Sequence, residues 1–302
     1  MTSRRIEARR LARPEARAGF FWRHLVGDYS LGRSYWLHTV LLGWGLAAFG
    51  AWVFRELGDR GTMRSVSIAV LCFEPVVVAV WLWSIFGTAM SALRRLFDGS
   101  QVVWSLLALL SLGLGTLATV HSLGKMGYYL REHWAVAQGK QPTERFDVTL
   151  RDDGRVVVFS GGINDGAAAA IDKAIGAAPR AGTLLLHSPG GWLREGRRMA
   201  EVVERYRLNT RVEGDCFSAC TLVLLAGTSR SAGDKAQIGF HRGRAVGETA
   251  EDRALPARAE EMEIYRRAGL KPEFVRRIVA TPNDAIWIPS RGELLREDVL
   301  TR

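Results

Sequence analysis

The most prominent pattern in the chain is a series of three long apolar runs in its first half. They cover residues 36–54, 66–90 and 102–123, and only the second carries a charged residue, Glu74, beside Pro75. About 20 apolar residues in a helix cross the roughly 30 Å hydrocarbon core of a bilayer. The pattern therefore predicts a membrane anchor of three transmembrane α-helices over residues 35–123, with the lipid bilayer as a partner.

Glu74 is the one residue of these runs that apolar packing does not explain. A carboxylate inside a membrane is costly and often functional. Pro75 can break or kink the helix, which would let Glu74 reach the interface or a neighbouring helix. The sequence favours a structural or assembly role for Glu74 and leaves a functional role open.

The pattern changes after residue 123. Residues 124–143 read as a polar, partly helical stem, and residues 144–302 alternate between short apolar runs and amphipathic ones. Strands that alternate with helices over such a length indicate an α/β domain. The predicted strands cover residues 155–160, 183–188, 210–213 and 236–241, and the predicted helices cover residues 165–177, 194–206, 218–227, 257–268 and 272–279.

The distribution of charge decides what the basicity of the chain means. A net charge of +10 and a pI of about 10.1 would suit a nucleic-acid-binding protein, but a mean hydropathy of +0.01 is high for one. Residues 1–34 hold eight Arg against three acidic residues, whereas residues 144–302 carry a net charge of only +2. A nucleic-acid-binding domain concentrates Lys and Arg on a folded face, so no nucleic acid is predicted as a partner.

An Arg-rich segment before the first span is instead a topology signal. Positively charged flanking segments remain in the cytoplasm, so residues 1–34 are predicted to be a basic cytoplasmic tail. Three spans then place residues 144–302 on the opposite face of the membrane. The expected location is the inner (cell) membrane of a bacterium, as a multi-pass protein with a periplasmic or extracytoplasmic C-terminal domain.

Three short motifs in the second half carry candidate chemistry. Ser188–Gly191 (SPGG) joins a strand to a helix, where two glycines expose N–H groups that suit an oxyanion hole, although an ordinary turn can have this sequence. Ser218 opens a buried helix beside the N–H of Ala219, and a helix cap is its alternative role. His241 ends a strand, where structural histidines are also common. Each motif is weak alone, but their order and spacing are specific.

Together these motifs resemble those of the Clp-protease/crotonase superfamily, and more closely its serine-peptidase branch typified by the Clp proteolytic subunit. The matching strings are SPGG at 188–191, GDCFSAC at 214–220 and QIGFHR at 237–242. The resemblance covers about residues 155–300 and implies a ββα superhelix fold, while the membrane region has no counterpart in the Clp subunit. The domain is also similar to predicted bacterial periplasmic proteins that carry a C-x-S-A-C element.

The resemblance implies a Ser-His-Asp triad and an oxyanion hole, with no metal and no organic cofactor. It also implies a polypeptide substrate and self-association into a homo-oligomer. The implied site residues are Ser218 as nucleophile, His241 as general base, and Asp284 or, as a fallback, Asn283 as the residue that orients His241, with Gly190 or Gly191 and Ala219 as oxyanion donors.

Two of the three cysteines flank the candidate nucleophile. In an oxidising compartment Cys216 and Cys220 could form a disulfide that locks the turn around Ser218. Two small buried residues are an equally good interpretation. Three cysteines are too few for a disulfide-dense secreted scaffold, and no further ligand cluster accompanies this pair to indicate a metal site.

Three functions follow from these observations. The favoured one is a membrane-anchored serine peptidase that hydrolyses peptide bonds on the extracytoplasmic side. The alternative is a catalytically inactive Clp/crotonase-fold module for peptide binding or assembly of a membrane complex. A crotonase-type acyl-CoA enzyme is disfavoured because it has no need for Ser218 paired with His241, and CoA is not expected outside the cytoplasm.

Overall fold

The computed structural model of the protein describes residues 19–248 and 259–302. The predicted tail as far as residue 18, and the first two residues of the predicted helix 257–268, lie outside the described residues. The chain divides into two compact units. The first comprises the described residues up to Arg60 together with Ile68–Gly127, and the second comprises Gly61–Ser67 and Tyr128–Arg302.

The first unit is helical, and three helices are long and apolar enough to cross a membrane. They are Arg33–Gly58, Met63–Phe97 and Val102–His121, which confirms the three apolar helices that the sequence predicts. Most of their large apolar side chains are exposed in the chain by itself. The elements are α1 (Phe20–Leu25), a π-helix (Arg33–Leu41), α2 (Leu42–Arg60), α3 (Met63–Phe97) and α4 (Val102–Ala137), of which α3 begins and α4 ends in the second unit.

Helix α3 continues through Pro75, so the proline does not end it. A proline inside a helix removes one backbone hydrogen bond, and the apolar residues on both sides extend the helix regardless. Glu74 lines a cavity of about 520 Å³ within the first unit, together with the hydroxyl-bearing residues Tyr35, Ser84 and Ser111. The Glu74 side chain therefore lines a cavity that also contains hydroxyl groups of the helical unit.

Helix α4 runs beyond its apolar part and includes most of the predicted stem. It ends at Ala137, and the residues 128–137 (YYLREHWAVA) contain neither proline nor glycine. Leu, Arg, Glu and Ala are good helix formers, so the helix continues through this segment although its residues are more polar than those before it.

The second unit is a mixed α/β domain built on one six-stranded sheet. The strand order is β1-β2-β3-β4-β5, and β6 also pairs with β4. Strand β1 is antiparallel to β2, whereas the other neighbours are parallel. The elements are β1 (Phe146–Arg151), β2 (Val156–Gly161), α5 (Ala167–Ala177), β3 (Thr183–Ser188), α6 (Leu193–Arg205), β4 (Asn209–Phe217), α7 (Ala219–Leu225), β5 (Arg230–Ala232), β6 (Gln237–Gly239), α8 (Ala259–Arg267), α9 (Pro272–Ala280) and α10 (Arg291–Arg296).

The core of this domain consists of the apolar centres of the parallel strands and the helices that cover them. Phe159, Leu184, Leu186 and Val212 are completely buried. Parallel strands with both faces covered contain continuous apolar runs, which explains why β2 and β3 are apolar at successive positions. Every residue of α7 is buried, so the helix that follows Ser218 passes through the interior.

Strand β4 is longer than the sequence predicts, and this extension positions the candidate site. The prediction was 210–213, but the strand continues to Phe217 and changes partner along its length: Thr210–Val212 pairs with β5 and Asp215–Phe217 with β6. The added residues 214–217 (GDCF) include Gly214 and the acidic Asp215, which hide a strand from an alternation pattern. Gly214 is needed because a Cβ there would meet the ring of His187.

Candidate active site

Ser218 occupies a sharp turn between β4 and α7, and its backbone is in an unusual conformation. Its φ and ψ angles are +55° and −124°, a region that residues other than glycine rarely adopt. The N–H of Ser218 donates to the Gly239 carbonyl at 3.0 Å, and the hydroxyl of Thr221 donates to the Ser218 carbonyl at 2.7 Å. Neighbouring strand and helix thus hold the strained residue in place.

The hydroxyl of Ser218 does not cap the helix that follows it. Within the described residues its side chain makes no cap hydrogen bond to α7, and the side chain is half-buried. The alternative interpretation of Ser218 as a simple N-cap therefore does not describe this turn. A strained strand-to-helix turn presents the nucleophilic serine in α/β-hydrolases.

The Ser188–Gly191 turn lies directly against Ser218. Gly190 has φ of +94° and Gly191 has φ of +150°. A Cβ on Gly190 would lie 2.8 Å from the Ser218 Cβ and 2.6 Å from the Phe217 carbonyl oxygen. Only glycine leaves room for this approach, so the two segments that the sequence singled out are brought together.

Two backbone N–H groups beside Ser218 remain available for an oxyanion. The N–H of Gly190 donates to the Ser188 hydroxyl at 3.1 Å, which leaves Gly191 as the donor from this turn. The N–H of Ala219 is at the start of α7, where a helix offers no internal acceptor. Across residues 19–248 and 259–302, neither the Gly191 N–H nor the Ala219 N–H has a protein acceptor.

His241 is carried to the same edge of the sheet as Ser218. Strand β6 ends two residues before it, and Gly239 in that strand is paired with Phe217, the residue before Ser218. The Nδ1 atom of His241 is 2.8 Å from the carbonyl oxygen of Arg242. A protonated Nδ1 donates to this carbonyl, and the tautomer leaves Nε2 with a lone pair, which is the form a general base requires.

Asn283, and not Asp284, is the residue beside His241. The Nδ2 atom of Asn283 lies 3.3 Å from His241 Nδ1 and 3.3 Å from the Arg242 carbonyl oxygen. Asp284 is exposed, and in the part of the chain described it has no hydrogen bond to His241. Of the two orienting residues that the sequence offers, the fallback Asn283 is the one placed against His241 Nδ1.

The segment that carries Asn283 is fixed by a short strand pairing. Phe240 and Trp287 form an antiparallel bridge, with N–H to carbonyl distances of 2.9 Å in both directions. The bridge ties the chain after α9 to the end of β6. The role of the Arg242 carbonyl was not foreseen, because a backbone oxygen leaves no residue-type signal in a sequence.

No hydrogen bond joins the Ser218 hydroxyl to His241 in the described residues. The backbones are brought together by the β4–β6 register, and catalytic hydrogen bonds are often long before a substrate is bound. Burial lowers the pKa of His241, and the hydrogen bond to the Arg242 carbonyl opposes this shift. The lowered pKa favours the neutral form of His241 at pH 6.5 and above.

A disulfide joins Cys216 and Cys220, whose Cα atoms are 5.2 Å apart. Both cysteines are completely buried, one at the end of β4 and the other in the first turn of α7. The bridge therefore closes a loop around Ser218. Cys72 in α3 is a free thiol outside this site.

His187 has a structural role rather than a chemical one. Its Nδ1 atom accepts the N–H of Asp215 at 3.0 Å, which links the ends of β3 and β4. Residues 144–302 contain two histidines, and only His241 follows the strand that pairs with the residue before Ser218.

Comparisons with known proteins identify similarity in structure only. No protein-family model and no curated protein matches the chain. ClpP1 from Listeria monocytogenes is 18% identical, with a TM-score of 0.39, and covers 49% of this chain and 90% of its own. A mutant of that ClpP1, with one asparagine changed to aspartate, is 18% identical with a TM-score of 0.40 over the same shares of the two chains.

Proposed function

We propose that the protein is a membrane-anchored serine peptidase with a Clp/crotonase-like domain. The observation that carries the proposal is the strained turn at Ser218, packed against the Gly190–Gly191 turn with two N–H groups unused beside it. A purely structural serine needs neither the φ of +55° nor the glycine pair against it. Strain of this kind costs about 1–3 kcal/mol and collects at functional sites.

The reaction follows from the positions of these groups. His241 Nε2 takes the proton of the Ser218 hydroxyl while the serine oxygen attacks a peptide carbonyl carbon. The N–H groups of Gly191 and Ala219 stabilise the resulting oxyanion. His241 then gives the proton to the leaving amine, and a water molecule activated by the same histidine hydrolyses the acyl-enzyme. No metal or organic cofactor takes part in this scheme.

Asn283 and the Arg242 carbonyl serve as the orienting groups in this proposal. The Arg242 carbonyl accepts a hydrogen bond from His241 Nδ1–H and so fixes the tautomer, while Asn283 Nδ2 donates to the same carbonyl at 3.3 Å and holds it in place. Both groups are neutral, so they lack the full charge that an aspartate would place beside the imidazolium. A Ser-His-Asn arrangement is accordingly proposed in place of Ser-His-Asp284. Self-association into a homo-oligomer stays a prediction.

A fluorophosphonate probe tests the nucleophile directly. Detergent-solubilised wild-type protein is expected to be labelled covalently, because the probe reacts with an activated serine hydroxyl in an oxyanion hole. Ser218→Ala should abolish labelling and His241→Gln should slow it on the order of 10²-fold or more. Ser229→Ala, which changes a half-buried serine elsewhere in the same domain, is the matched control and should be labelled like the wild type.

Two results of the labelling experiment would reject the peptidase. Absence of labelling in a folded wild-type protein would support the alternative, a catalytically inactive module that binds peptides or assembles a complex. Equal labelling of wild type and Ser218→Ala would assign the nucleophile to another residue.

Activity is expected to fall in acid with a midpoint below pH 6.5, because the buried His241 has a pKa below its ordinary value of 6.5 and only the neutral form accepts a proton. Asn283→Asp places a carboxylate beside His241, raises that pKa, and should move the acid limb of the kcat/KM profile to higher pH. Asp284→Asn is the control and should leave the limb in place. If Asp284→Asn shifts the acid limb of the kcat/KM profile and Asn283→Asp does not, the orienting residue is Asp284.

The same titration has a consequence for stability. As pH falls below about 6.5, His241 of the unfolded chain takes up a proton while the buried imidazole stays neutral. The free energy of unfolding therefore decreases from about pH 6.5 down to the folded-state pKa, and this contribution is constant above that range. Thermal unfolding of wild type and His241→Gln over pH 5–8 should show a steeper loss in the wild type.

The proposed topology has support from contacts of the segment between the first two apolar helices. Gly61–Ser67 packs with the α/β domain: the N–H groups of Met63 and Arg64 donate to the Asp165 carboxylate at 2.9 and 3.2 Å. This connection and the domain must then lie on one side of the membrane, as three spans require. The eight Arg of residues 1–34 favour the cytoplasm for the opposite side.

The state of the cysteines in cells tests this topology. In a Cys72→Ser background, we expect Cys216 and Cys220 to resist a maleimide in denatured protein until a reductant is added, because a periplasmic domain is oxidised. Cys216→Ser in the same background leaves Cys220 reactive without reduction and is the matched control. Free thiols in the parent, combined with an inactive phosphatase fused after Arg302, would place the domain in the cytoplasm.

A further inference from the structure

Three arginines of the first unit converge on the connection between α1 and the π-helix. The guanidinium carbons of Arg23 and Arg33 lie 5.0 and 4.5 Å from the centre of the Tyr29 ring. Arg94, near the end of α3, donates to the Asp28 carboxylate at 2.8 Å. The N–H of Asp28 in turn donates to the Arg23 carbonyl oxygen at 2.9 Å. These contacts gather three cations from three helices around two neighbouring residues.

The charges of this group of residues do not balance. Asp28 neutralises Arg94, whereas in residues 19–248 and 259–302 neither Arg23 nor Arg33 forms an ion pair with a carboxylate. Their contact is with an aromatic ring, which attracts a cation without cancelling its charge. Two positive charges therefore remain beside Tyr29, and a phosphate ester carries the opposite charge.

Tyr29 holds the guanidinium groups of Arg23 and Arg33 in position before any ligand binds. Tyr29 is buried, and both arginines are exposed. An arginine that is already fixed loses less conformational entropy on binding than a free one. The planar guanidinium also matches the geometry of phosphate oxygens, to which it donates two hydrogen bonds at once. The arrangement therefore suits a phosphate group.

The same residues lie at the ends of two apolar helices. The first apolar helix begins at Arg33, and the second ends at Phe97, three residues after Arg94. Two tryptophans of the first unit, Trp22 and Trp36, are exposed close to the arginines in the chain. Tryptophan is enriched at membrane–water interfaces. In a membrane-anchored protein, these tryptophans and the arginines lie at the depth of the lipid head groups.

We infer that this group, the Tyr29 arginine cluster (Arg23, Arg33 and Arg94 with Asp28 and Tyr29), binds the phosphate of an anionic phospholipid. The inference rests on the membrane anchor of the proposed function and is independent of the peptidase chemistry. A zwitterionic phospholipid offers the same phosphate, but its own ammonium group cancels the charge that the cluster attracts. Inorganic phosphate has the same chemistry as the head group, and the exposed tryptophans favour the lipid.

Selective binding of one lipid by the full-length protein tests the inference. The protein is immobilised in a non-ionic detergent and titrated with phosphatidylglycerol or phosphatidylcholine that carry the same fluorescent acyl chain. Because the two lipids differ only in the head group, the difference between their apparent Kd values reports on its charge. Phosphatidylglycerol is expected to bind on the order of ten-fold more tightly, and the difference should shrink at high salt.

Two pairs of variants assign this preference to the cluster. The double variant Arg23→Gln/Arg33→Gln should lose the preference, whereas Arg55→Gln/Arg60→Gln, which removes the same charge near the far end of α2, should keep it. Tyr29→Leu should weaken the binding of phosphatidylglycerol because the two arginines lose the ring that holds them. Tyr29→Phe keeps the ring and should bind this lipid like the wild type.

Three results would overturn the inference. The first is equal affinity of the wild type for the two lipids, and the second is an equal loss of preference in both double variants. The third is release of phosphatidylglycerol by millimolar inorganic phosphate but not by chloride at the same ionic strength, because the ligand would then be free phosphate.

Carbonate extraction of cell membranes tests the anchor separately. Release of the protein would reject the anchor and the lipid site with it, whereas a protein that stays in the membrane and prefers neither lipid keeps the anchor and rejects the cluster alone. Fluorophosphonate labelling reports only on the peptidase, so its absence leaves the lipid site intact.

Discussion

Replacing Ser218 with glycine is expected to abolish hydrolysis and at the same time to make the protein more stable than the Ser218→Ala variant by about 1 kcal/mol. Both variants lack the nucleophilic oxygen, and loss of a nucleophilic serine costs on the order of 10⁴-fold or more in kcat. They differ only in how well they tolerate φ of +55°, which glycine adopts without strain and alanine does not. Thermal unfolding of the two detergent-solubilised variants measures the difference.

An ordinary serine of the same sheet provides the control. Ser231 lies in β5 and is absent from the residues with positive φ. Glycine in a strand weakens it, so Ser231→Gly should be less stable than Ser231→Ala. If Ser218→Gly is likewise no more stable than Ser218→Ala, the turn stores no strain and the principal support for the nucleophile is lost.

The second large effect is expected for Gly191→Ala, which should cost about 3 kcal/mol or more of folding free energy. The new Cβ would lie 2.8 Å from the Ile163 carbonyl carbon and closer still to its oxygen, at a residue with φ of +150°. The chain can respond only by breaking the Ile163–Gly191 bridge, and this bridge holds the turn that carries the oxyanion donor.

Gly182→Ala separates this steric effect from a general sensitivity to glycine replacement. A Cβ on Gly182 would meet nothing within 4 Å and its φ is not positive, so this variant should be neutral or slightly more stable. Urea or thermal unfolding compares the two, and fluorophosphonate labelling of any folded Gly191→Ala protein reports on the oxyanion turn. A Gly191→Ala protein with wild-type stability and labelling would remove Gly191 from the site.

Helices and strands that are determined by their own local sequence are predictable from it. About 20 consecutive uncharged apolar residues have few alternatives to a long helix, so the three apolar helices were found. Strand β3 was found at Thr183–Ser188 because its apolar run is bounded by Gly182 and Pro189, which mark its limits. Strand β4 was found only in part, since its second half is polar and its pairing with β6 depends on tertiary structure.

The candidate site shows the same division. Residue type and spacing selected Ser218, the Gly190–Gly191 turn and His241, but the backbone angle that distinguishes a strained turn from a helix cap cannot be seen in a sequence. Asn283 and Asp284 are adjacent polar residues in one turn, and residue type alone does not tell which of them meets His241. Every residue has a backbone carbonyl, so no sequence pattern could have selected the carbonyl of Arg242.

The start of α3 and the turn at Gly190–Gly191 depend on one short segment of the α/β domain. The carboxylate of Asp165 accepts hydrogen bonds from the N–H groups of Met63 and Arg64, and Ile163, two residues earlier, makes hydrogen bonds with Gly190 and Trp192. Residues 163–165 are therefore a common support, so a substitution that displaces this segment is expected to disturb the helix start and the proposed oxyanion turn together.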